Sequence, residues 1–309
     1  MYAKSAVYYD AIYAAVGKDY AREAEVLHAL IQRHKRSSGN ALLDVACGTG
    51  NHIVHLKRHY AVEGLDLDPD MLAIARRKHP DVVFHQGDMV QFDLGRQFDA
   101  VVCLFSAIAY ALTPERLTQA VRTMARHAKP GGVVIAEPFI DPDKWQDGHI
   151  NADFVNLPDL KVARMNVSSR EGNIAVLDFH FMVATPSGIE HFNERHDLAL
   201  FTHDEYLTAF RRAGLVAELT RPAETRQDRA AFGQYLERLS VRAGLIKLAD
   251  RIENVRGLLT IRNDPGFVEQ YLDETRELFL TPWIDRMHAE LAGMLRAAFS
   301  RAEHAHTQT

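Results

Sequence analysis

The chain has 309 residues, and its 41 Asp and Glu residues against 36 Lys and Arg residues give a formal net charge of −5. Its 47% hydrophobic composition can bury one large domain and an appendage. The mild acidity disfavours nucleic-acid binding, which requires a basic surface, and the two cysteines cannot form a disulfide framework. No apolar run has the length of a signal peptide or a membrane span, so we expect a cytoplasmic protein without a membrane partner.

Residues 1–36 are predicted to form helices that act as a lid. Tyrosines and aliphatic residues recur at helical spacing, and Gly17 interrupts the pattern. The lid tyrosines are Tyr9, Tyr13 and Tyr20, whose phenol groups would close over a ligand. Simple packing of these rings against the domain is the alternative.

The stretch 41–66 predicts a strand, a glycine turn, a helix and a second strand. Glycine lets a backbone approach a ligand closely, and free N–H groups at the following helix favour electron-rich ligand groups. An acid at the tip of the second strand can accept both hydroxyls of a ribose. The candidate ligand contacts here are Asp44, Ala46, Gly48, Gly50 and Asp66. An ordinary tight turn of an α/β protein is the alternative interpretation.

Two common phosphate-binding motifs are excluded at this turn. The pattern GxGxxG from Gly48 would require glycine at position 53, where Ile53 stands. No Lys-Ser or Lys-Thr pair follows the turn, so it is not a phosphate loop of the nucleotide triphosphatases.

Strand and helix patterns alternate over residues 40–139. Strands are predicted at 41–45, 61–65, 82–85, 99–104 and 132–137, and helices at 50–58, 69–78 and 114–127. This alternation predicts a parallel sheet with helices on both faces, and a Lys-Pro-Gly-Gly turn before the fifth strand. Such sheets bind ligands beyond the carboxyl ends of their strands.

Further candidate ligand contacts follow the ends of the second, third and fourth strands. They are Leu67, Met71, Gly87, Asp88, Met89, Leu104 and Phe105. The Asp88 carboxylate could accept a hydrogen bond from an adenine amino group, and Met89 could pack on the ring. A turn aspartate that caps a helix is the alternative for Asp88.

Residues 139–201 are predicted to form an antiparallel β insertion, since apolar and polar residues alternate there between turn signals. The insertion would cover a substrate or form a dimer surface. His180 and His196 are interpreted as solvated strand residues, with a catalytic role for either as the alternative. Thr202 and Glu205 predict a capping box at the start of the next helix, and a last strand is predicted at 215–219.

Residues 222–309 are predicted to be a helical extension after a polar linker. Asp264-Pro265 and Thr281-Pro282 are typical helix starts, and the face that ends in Leu295 and Ala298 is apolar at helical spacing. We interpret the extension as a packing or dimerisation appendage, with contact to the substrate as the alternative, and expect a disordered tail from His304. The predicted domains are therefore a lid (1–36), a core (37–221) and this extension.

Taken together, the motifs DVACGTG, HQGDM and KPGG resemble those of the class I S-adenosylmethionine-dependent methyltransferases. The segments GLDLDPDMLAIAR, FDAVVCLFSAI and KPGGVVIAEPF, with the lid YYDAIYAAVGKDY, are similar to the N,N-dimethyltransferases of nucleotide-linked amino sugars. The resemblance covers about residues 5–220. It implies an α/β fold with a Rossmann-like doubly wound sheet, S-adenosylmethionine as cofactor, and lid tyrosines that contact the cofactor and shape the substrate pocket. One residue departs from the pattern, since Tyr110 stands where those enzymes tend to carry histidine.

Methyl transfer from a sulfonium cofactor is an in-line displacement that needs a free lone pair, correct geometry and exclusion of water. No catalytic dyad is required, and the scattered histidines predict no metal site. Tyr13 and Tyr110 are the candidates to orient an amine or accept its proton. Glu137, at the tip of the fifth strand, could hold an ammonium group; a helix cap or a salt bridge is its alternative role.

The favoured interpretation is a methyltransferase of a small molecule, N-directed, with an amino sugar of an antibiotic pathway as the first substrate to test. A natural-product O-methyltransferase and a non-catalytic cofactor-binding partner subunit are the alternatives. A nucleic-acid methyltransferase is disfavoured by the charge and by Leu104-Phe105-Ser106-Ala107, which replaces the Pro-Pro-aromatic segment that such enzymes carry after the fourth strand. A homodimer is compatible with the sequence.

Overall fold

The computed structural model describes residues 4–215 and 289–307, together with Glu269, Leu272, Asp273, Thr275, Arg276, Phe279 and Leu280. The contacts divide the chain into two compact units, Met1–Val216 and Ala217–Thr309. The predicted linker after 222, both predicted helix starts, and residues 216–219 of the last predicted strand lie outside the described residues.

A five-stranded parallel sheet forms the centre of the first unit, in the order β3-β2-β1-β4-β5. Its strands are β1 (Ala41–Val45), β2 (Ala61–Asp66), β3 (Val83–Gln86), β4 (Phe98–Cys103) and β5 (Ala128–Ala136). The helices that connect them are α3 (Ile53–Leu56), α4 (Pro69–Lys78) and α5 (Pro114–Arg126), with a 3-10 helix at Ala107–Ala111. The predicted α/β doubly wound sheet is confirmed.

Alternate residues of the central strands enter two separate hydrophobic cores. Leu43 and Val101 pack in a core with Leu117 and Val121 of α5. Their strand neighbours, of which Leu42 is one, pack in a second core with α2 (Tyr20–His34), α3 and α4. Because successive side chains of a strand point to opposite faces, both faces of the sheet are covered.

The lid consists of a 3-10 helix (Ser5–Tyr8), α1 (Tyr9–Ala15) and α2 (Tyr20–His34). Gly17 adopts a left-handed φ of 74° between α1 and α2, which explains why glycine stands at this break. Asp19 caps α2 by accepting a hydrogen bond from the Arg22 N–H. Ile12 of α1 is buried in a third core, against residues of the β insertion.

Two local predictions are corrected by the backbone. The helix expected over 50–58 is limited to Ile53–Leu56, because Gly48 and Gly50 are left-handed and delay the first helical residue. The Lys-Pro-Gly-Gly segment lies inside β5 as an irregularity of the strand pairing, not in a turn before it. Gly131 has a φ of 76° there, and its carbonyl accepts the N–H groups of Arg36 and Ser37.

The antiparallel insertion is confirmed and forms a second sheet in the order β10-β9-β7-β6, with β8 paired to β9. Its strands are β6 (Ile150–Leu157), β7 (Leu160–Val167), β8 (Ser169–Glu171), β9 (Ile174–Thr185) and β10 (Gly188–Ala199). A 3-10 helix at Pro142–Lys144 precedes it. One face of this sheet carries Val155, Val162 and Phe181, which pack with Ile12 of the lid.

Helix α6 (His203–Arg212) follows the insertion and begins with the predicted capping box of Thr202 and Glu205. In the second unit, α7 (Ala289–Thr307) buries an apolar face that includes Leu295 and Ala298. The tail predicted to be disordered from His304 is therefore helical as far as Thr307. Within the described ranges, no helix is long and apolar enough to cross a membrane.

Candidate active site

A cavity of about 280 Å³ lies at the carboxyl ends of the parallel strands, beside the lid. Open parallel sheets bind ligands at this edge, at the point where the strand order reverses, so the cavity lies at the expected position. Most of the predicted ligand contacts line it: Tyr9, Tyr20, Asp44, Ala46, Gly48, Asp66, Leu67, Met71, Gly87, Asp88, Met89, Leu104 and Phe105. We call it the cofactor cavity.

The glycine turn after β1 shapes the floor of the cofactor cavity. Ala46 and Gly48 are left-handed, with φ of 59° and 54°. A Cβ on Gly48 would have no atom within 4 Å, so this backbone is open to a ligand. Gly50 does not line the cavity, and a Cβ there would lie 2.9 Å from the His79 ring, so packing explains this glycine.

Asp44 is a buried carboxyl group at the end of β1, with an exposed fraction of 1%. Its Oδ2 has no hydrogen-bond partner among the residues that the structure describes. Burial raises the Asp44 pKa to about 7. The nearby His52 lowers this pKa, and the nearby Asp66 raises it. An unpaired buried carboxyl group in a cavity is a site for a cationic or hydrogen-bond-donating ligand group.

Asp66 ends β2 and is also buried. Its Oδ2 accepts the Gly48 N–H at 2.7 Å and its Oδ1 accepts the Asp68 N–H at 2.9 Å. Each carboxylate oxygen has a second lone pair for a ligand hydroxyl. Asp66 therefore holds the glycine turn in place and presents acceptor oxygens to the cavity at the same time.

Asp88 occupies a different environment at the cavity edge. Its Oδ1 accepts the Val90 N–H at 2.9 Å, and its Oδ2 lies 3.3 Å from Arg116 Nη2. Asp88 therefore stabilises a turn, as in the alternative interpretation, and it also lines the cofactor cavity. Arg116, in the first turn of α5, was not predicted from the sequence.

The lid tyrosines divide between two cavities. The Tyr9 and Tyr13 rings are 4.6 Å apart, and the Tyr13 ring meets the Phe105 ring edge-on at 5.0 Å. Tyr9 and Tyr20 line the cofactor cavity, whereas Tyr13 does not. Burial raises the Tyr9 pKa well above its ordinary value, and it raises the Tyr20 pKa to about 12. Both phenols are therefore uncharged.

A second cavity of about 150 Å³ lies between the lid, the segment after β4 and the inner face of the β insertion. Tyr9, Phe105 and Tyr110 line both cavities, so the two share a wall. The remaining lining residues are Ser5, Ile12, Tyr13, Ser106, Phe139, Arg164, Leu177, Phe179, Phe181, His196 and Leu198. We call it the acceptor cavity.

His196 is buried, not solvated as the sequence indicated, and its exposed fraction is 3%. Its Nδ1 lies 2.7 Å from the Tyr110 hydroxyl group. Burial lowers the His196 pKa to about 4. The chain thus carries a neutral imidazole beside the tyrosine that replaces the expected histidine. His180, in contrast, is exposed as predicted.

Glu137 follows β5 and lines neither cavity. Its Oε2 accepts the Phe105 N–H at 2.6 Å. Phe105 and Ser106 both have left-handed backbones, with φ of 52° and 58°, which are strained for residues with side chains. The carboxylate therefore fixes the strained segment that carries the Phe105 ring.

Arg164 on β7 is the cationic group of the acceptor cavity. Its guanidinium forms two hydrogen bonds to Asp153 Oδ2, at 2.6 and 2.9 Å. It also lies 5.2 Å from the centre of the Tyr13 ring and 4.7 Å from that of Phe179. No sequence motif marks this residue, because the β-sheet register alone brings it to the lid.

A polar cluster joins the lid to the glycine turn. Asp10 Oδ1 accepts hydrogen bonds from Thr49 Oγ1 at 2.6 Å and from Asn51 Nδ2 at 2.9 Å. Asp10 Oδ2 lies 2.6 Å from the Lys78 ammonium group. Since Asp10 is adjacent to Tyr9 in α1, these contacts hold the lid over the cofactor cavity.

We expect Asp10→Ala to weaken cofactor binding about threefold to tenfold, because the lid loses two side-chain hydrogen bonds to the turn. Calorimetry with S-adenosylmethionine measures the affinity, and limited proteolysis measures exposure of the lid. Asp70→Ala is the matched control, since Asp70 is an exposed acid on α4 outside the cluster. Equal affinities and equal protease resistance in both variants would contradict the role of Asp10 in holding the lid over the cofactor cavity.

The site fits a cofactor with a ribose, an adenine and a cationic amino acid portion. Asp66 offers acceptors to hydroxyl groups, and Asp44 offers a cation its buried Oδ2, which has no hydrogen-bond partner among the described residues. Met71 and Met89 line the cavity with apolar surface. Gly48 leaves room for close approach of the ligand to the backbone. No group of metal-ligating side chains occurs in the described parts of the chain.

Residues 42–132 match the family model described as a methyltransferase domain. Over 212 residues the chain is 46% identical to dTDP-3-amino-3,6-dideoxy-alpha-D-glucopyranose N,N-dimethyltransferase from Streptomyces fradiae. This alignment covers 68% of this chain and 83% of that protein. DesVI from Streptomyces venezuelae superposes with a TM-score of 0.64 at 45% identity, over 67% of this chain and 88% of its own.

A third similar protein has been solved with S-adenosylmethionine bound. It is CalS10 from Micromonospora echinaspora, an amino pentose methyltransferase involved in calicheamicin biosynthesis. The TM-score is 0.60 at 39% identity, and the match covers 67% of this chain and 87% of CalS10. With the cavity geometry and the ordered motifs, these similarities establish that the chain belongs to the family of S-adenosylmethionine-dependent methyltransferases that includes the nucleotide-sugar N,N-dimethyltransferases.

Proposed function

We propose that this enzyme methylates the amino group of a nucleotide-linked amino sugar. The observation that carries the proposal is the acceptor cavity, which shares Tyr9, Phe105 and Tyr110 with the cofactor cavity. An acceptor held there adjoins the cofactor at the aromatic residues that the two cavities share. The relatives that match most of their length act on dTDP-linked amino sugars, by their names.

The charges around the acceptor cavity favour a neutral amine. Arg164 is the cation of its wall, and none of its described lining residues is a carboxylate. Asp153 is already paired with Arg164, so no lining carboxylate is left to pair with a protonated amine, and burial lowers the pKa of the amine. The neutral amine carries the lone pair that attacks a methyl group, and no base is then needed for this step.

Each part of the site has a separate proposed role in the transfer. Bound S-adenosylmethionine supplies an electrophilic methyl group. The rings of Tyr9, Tyr13 and Phe105 exclude water from the junction of the cavities and limit the approach of the amine. Glu137 fixes the Phe105 segment, and this positioning role is better supported than direct binding of an ammonium group.

The cofactor contacts that we propose are the predicted residues in the wall of the cofactor cavity. Asp66 accepts hydrogen bonds from the ribose, Asp44 faces the cationic portion, and Asp88 with Met89 lies at the adenine. Gly50 contributes through the shape of the turn. We retain the division into a lid (1–36), a core (37–221) and a helical extension (222–309) as part of the proposal.

Methyl transfer with labelled S-adenosylmethionine tests the proposal. The acceptors are a dTDP-linked amino sugar, its hydroxyl analogue without the amine, and the amino sugar without the nucleotide. We expect mass increases of one and two methyl groups on the first acceptor only. Transfer to the hydroxyl analogue, or to none of the acceptors while the cofactor binds, would overturn the proposed acceptor.

We further propose that the enzyme is a homodimer through the outer face of the β insertion. The strand register places six large exposed apolar side chains on this face: Ile150, Phe154, Met165, Val167, Met182 and Ile189. Ile150 pairs with Val167, and Phe154 and Met182 both pair with Ala163. Exposed apolar patches of this kind mark interaction surfaces. A two-fold axis would bury each patch against its copy.

Phe154→Glu is expected to convert the dimer to a monomer, because each interface would bury two unpaired carboxylates. Light scattering coupled to size exclusion measures the mass. Val54→Glu is the matched control, since Val54 is an exposed apolar residue on α3. A monomeric wild-type protein, or a dimer that persists in Phe154→Glu, would contradict this interface.

A further inference from the structure

Tyr110 and His196 meet at the boundary of the two cavities, although 86 positions separate them in the chain. Tyr110 lies in the 3-10 helix after β4 and lines both cavities, whereas His196 lies on β10 and lines the acceptor cavity. The Tyr110 hydroxyl oxygen and His196 Nδ1 are 2.7 Å apart. This distance is that of a hydrogen bond.

The surroundings of His196 decide which of the two groups donates. Its Nε2 lies 4.0 Å from Glu194 Oε2. The Glu194 carboxylate is itself fixed, because it accepts the N–H groups of Lys4 at 2.7 Å and Ser5 at 3.0 Å and the Ser5 hydroxyl group. The separation of 4.0 Å is longer than a hydrogen bond, but the negative charge on this side favours the tautomer with hydrogen on Nε2, and Nδ1 is then the acceptor for the Tyr110 hydroxyl group.

Among the residues that the structure describes, the ionisable groups around His196 come from three elements. Glu194 and Asp197 lie on β10, Arg164 approaches from β7, and Tyr110 approaches from the 3-10 helix. The Phe179 ring on β9 packs against the imidazole edge at 5.6 Å. Burial outweighs the two carboxylates and lowers the His196 pKa to about 4, so the imidazole stays neutral at physiological pH.

A neutral imidazole that accepts at Nδ1 fixes the direction of the tyrosine hydroxyl. A phenol has one hydrogen to donate and two lone pairs to accept with. Once Tyr110 donates to His196, it can only accept from other groups. The Tyr110 oxygen therefore offers an acceptor at the boundary between the cofactor and the acceptor.

We propose that His196 is a positioning residue that makes Tyr110 a hydrogen-bond acceptor for the N–H of the methyl-accepting amine. This inference rests on the proposed function. An amine that donates one N–H to Tyr110 keeps its lone pair for the methyl group. In each transfer from bound S-adenosylmethionine, the methyl–sulfur bond would break as the N–C bond forms, the demethylated cofactor would leave, and the ammonium product would lose one proton to solvent. A neutral primary or secondary amine offers this N–H, whereas the neutral dimethylated amine does not, so recognition ends after two transfers.

The same arrangement discriminates against a hydroxyl acceptor. A hydroxyl group can also donate to Tyr110, but it becomes a strong nucleophile only when its proton is removed. A histidine with a pKa of about 4 is a poor acceptor for that proton. The pair thus orients an amine and does not activate an alcohol.

The kinetic test compares His196→Leu, His196→Asn and Tyr110→Phe. Asn can accept at the place of Nδ1, so we expect it to retain more activity than Leu. His196→Leu should lower kcat/KM for the amine about fivefold to tenfold while the Kd of S-adenosylmethionine stays within about twofold. His191→Asn is the matched control, since His191 is exposed on the other face of β10.

The double variant separates positioning from packing. In the Tyr110→Phe background, His196→Leu is expected to cause no further loss of kcat/KM, because His196 acts through the hydroxyl group. If the fold losses of kcat/KM in the two single variants multiply in the double variant, the two residues act independently and the proposal is overturned. Melting temperatures of all variants show whether a loss comes from unfolding.

A spectroscopic test does not depend on turnover. In protein labelled with ¹⁵N-histidine, His196 should remain neutral from pH 8 to pH 5, with hydrogen on Nε2 and an acceptor signal at Nδ1. Titration of His196 near its ordinary pKa, or hydrogen on Nδ1, would overturn the proposal. If wild-type enzyme methylates no amine, the proposed function fails, and this spectrum still decides the state of the pair.

Discussion

Replacement of Asp66 by alanine is expected to weaken S-adenosylmethionine binding by roughly tenfold to several hundredfold. A carboxylate that accepts hydrogen bonds from ribose hydroxyl groups contributes about 1.5–3 kcal/mol for each bond. Asp66 also accepts the Gly48 N–H at 2.7 Å, so its loss frees the turn that approaches the ligand. Both effects weaken the binding of S-adenosylmethionine.

The structure adds a cost to stability that the sequence did not indicate. Removal of the carboxylate leaves the N–H groups of Gly48 and Asp68 without this acceptor, so the melting temperature should fall as well. Asp68→Ala is the matched control, because Asp68 caps α4 and does not line the cofactor cavity. It should lower the melting temperature with a much smaller change in affinity.

Calorimetry of both variants, with thermal unfolding of the same samples, makes the comparison. Unchanged affinity in Asp66→Ala, with only a lower melting temperature, would show that Asp66 acts on the turn alone. Equal losses of affinity in the two variants would contradict a direct contact between Asp66 and the cofactor.

S-adenosylmethionine affinity is expected to fall as the pH falls below about 7, and Asp44 is the group responsible. Burial raises its pKa to about 7 in the folded protein, from an ordinary value near 4. A cationic portion of the ligand favours the carboxylate, so binding below pH 7 must release a proton. Affinity then decreases by up to tenfold for each pH unit.

The same shift has the opposite consequence for the protein without ligand. Since the folded pKa of Asp44 is raised, its contribution to stability is present at low pH and is lost as the pH rises through 7. Asp44→Asn removes this titration. The variant should therefore be more stable than the wild type at pH 8, by an amount on the order of a few kcal/mol at most.

Calorimetry between pH 6 and 8, in buffers of different ionisation enthalpy, measures both the affinity and the proton release. Asp44→Asn should bind more weakly at pH 8 and show little dependence on pH. A pH profile that is the same in wild type and variant would assign the titration to another group, of which the neighbouring Asp66 is the first to examine, since burial raises its pKa too.

Some of these features are local in the chain, and the sequence determined them. The alternation of strands and helices and the glycine turn follow from hydrophobic periods and turn residues within stretches of about ten positions, as does the capping box of Thr202 and Glu205. Because the motifs follow strands of one parallel sheet, their meeting at a single edge was predictable without coordinates. That explains why most of the predicted contacts line one cavity.

The acceptor side was decided by the tertiary structure. His196 stands beside the charged residues Glu194, Arg195 and Asp197 in the sequence, which favoured a solvated position, but the sheet packs its face inward and places it against Tyr110. Arg164 reaches Tyr13 across 151 positions of the chain. Glu137 stands at the predicted strand tip, but its hydrogen-bond partner, the Phe105 N–H, became known only from the structure. A one-residue shift of register turns every side chain of a strand to the opposite face, and distant contacts fix that register, so no local pattern could assign these partners.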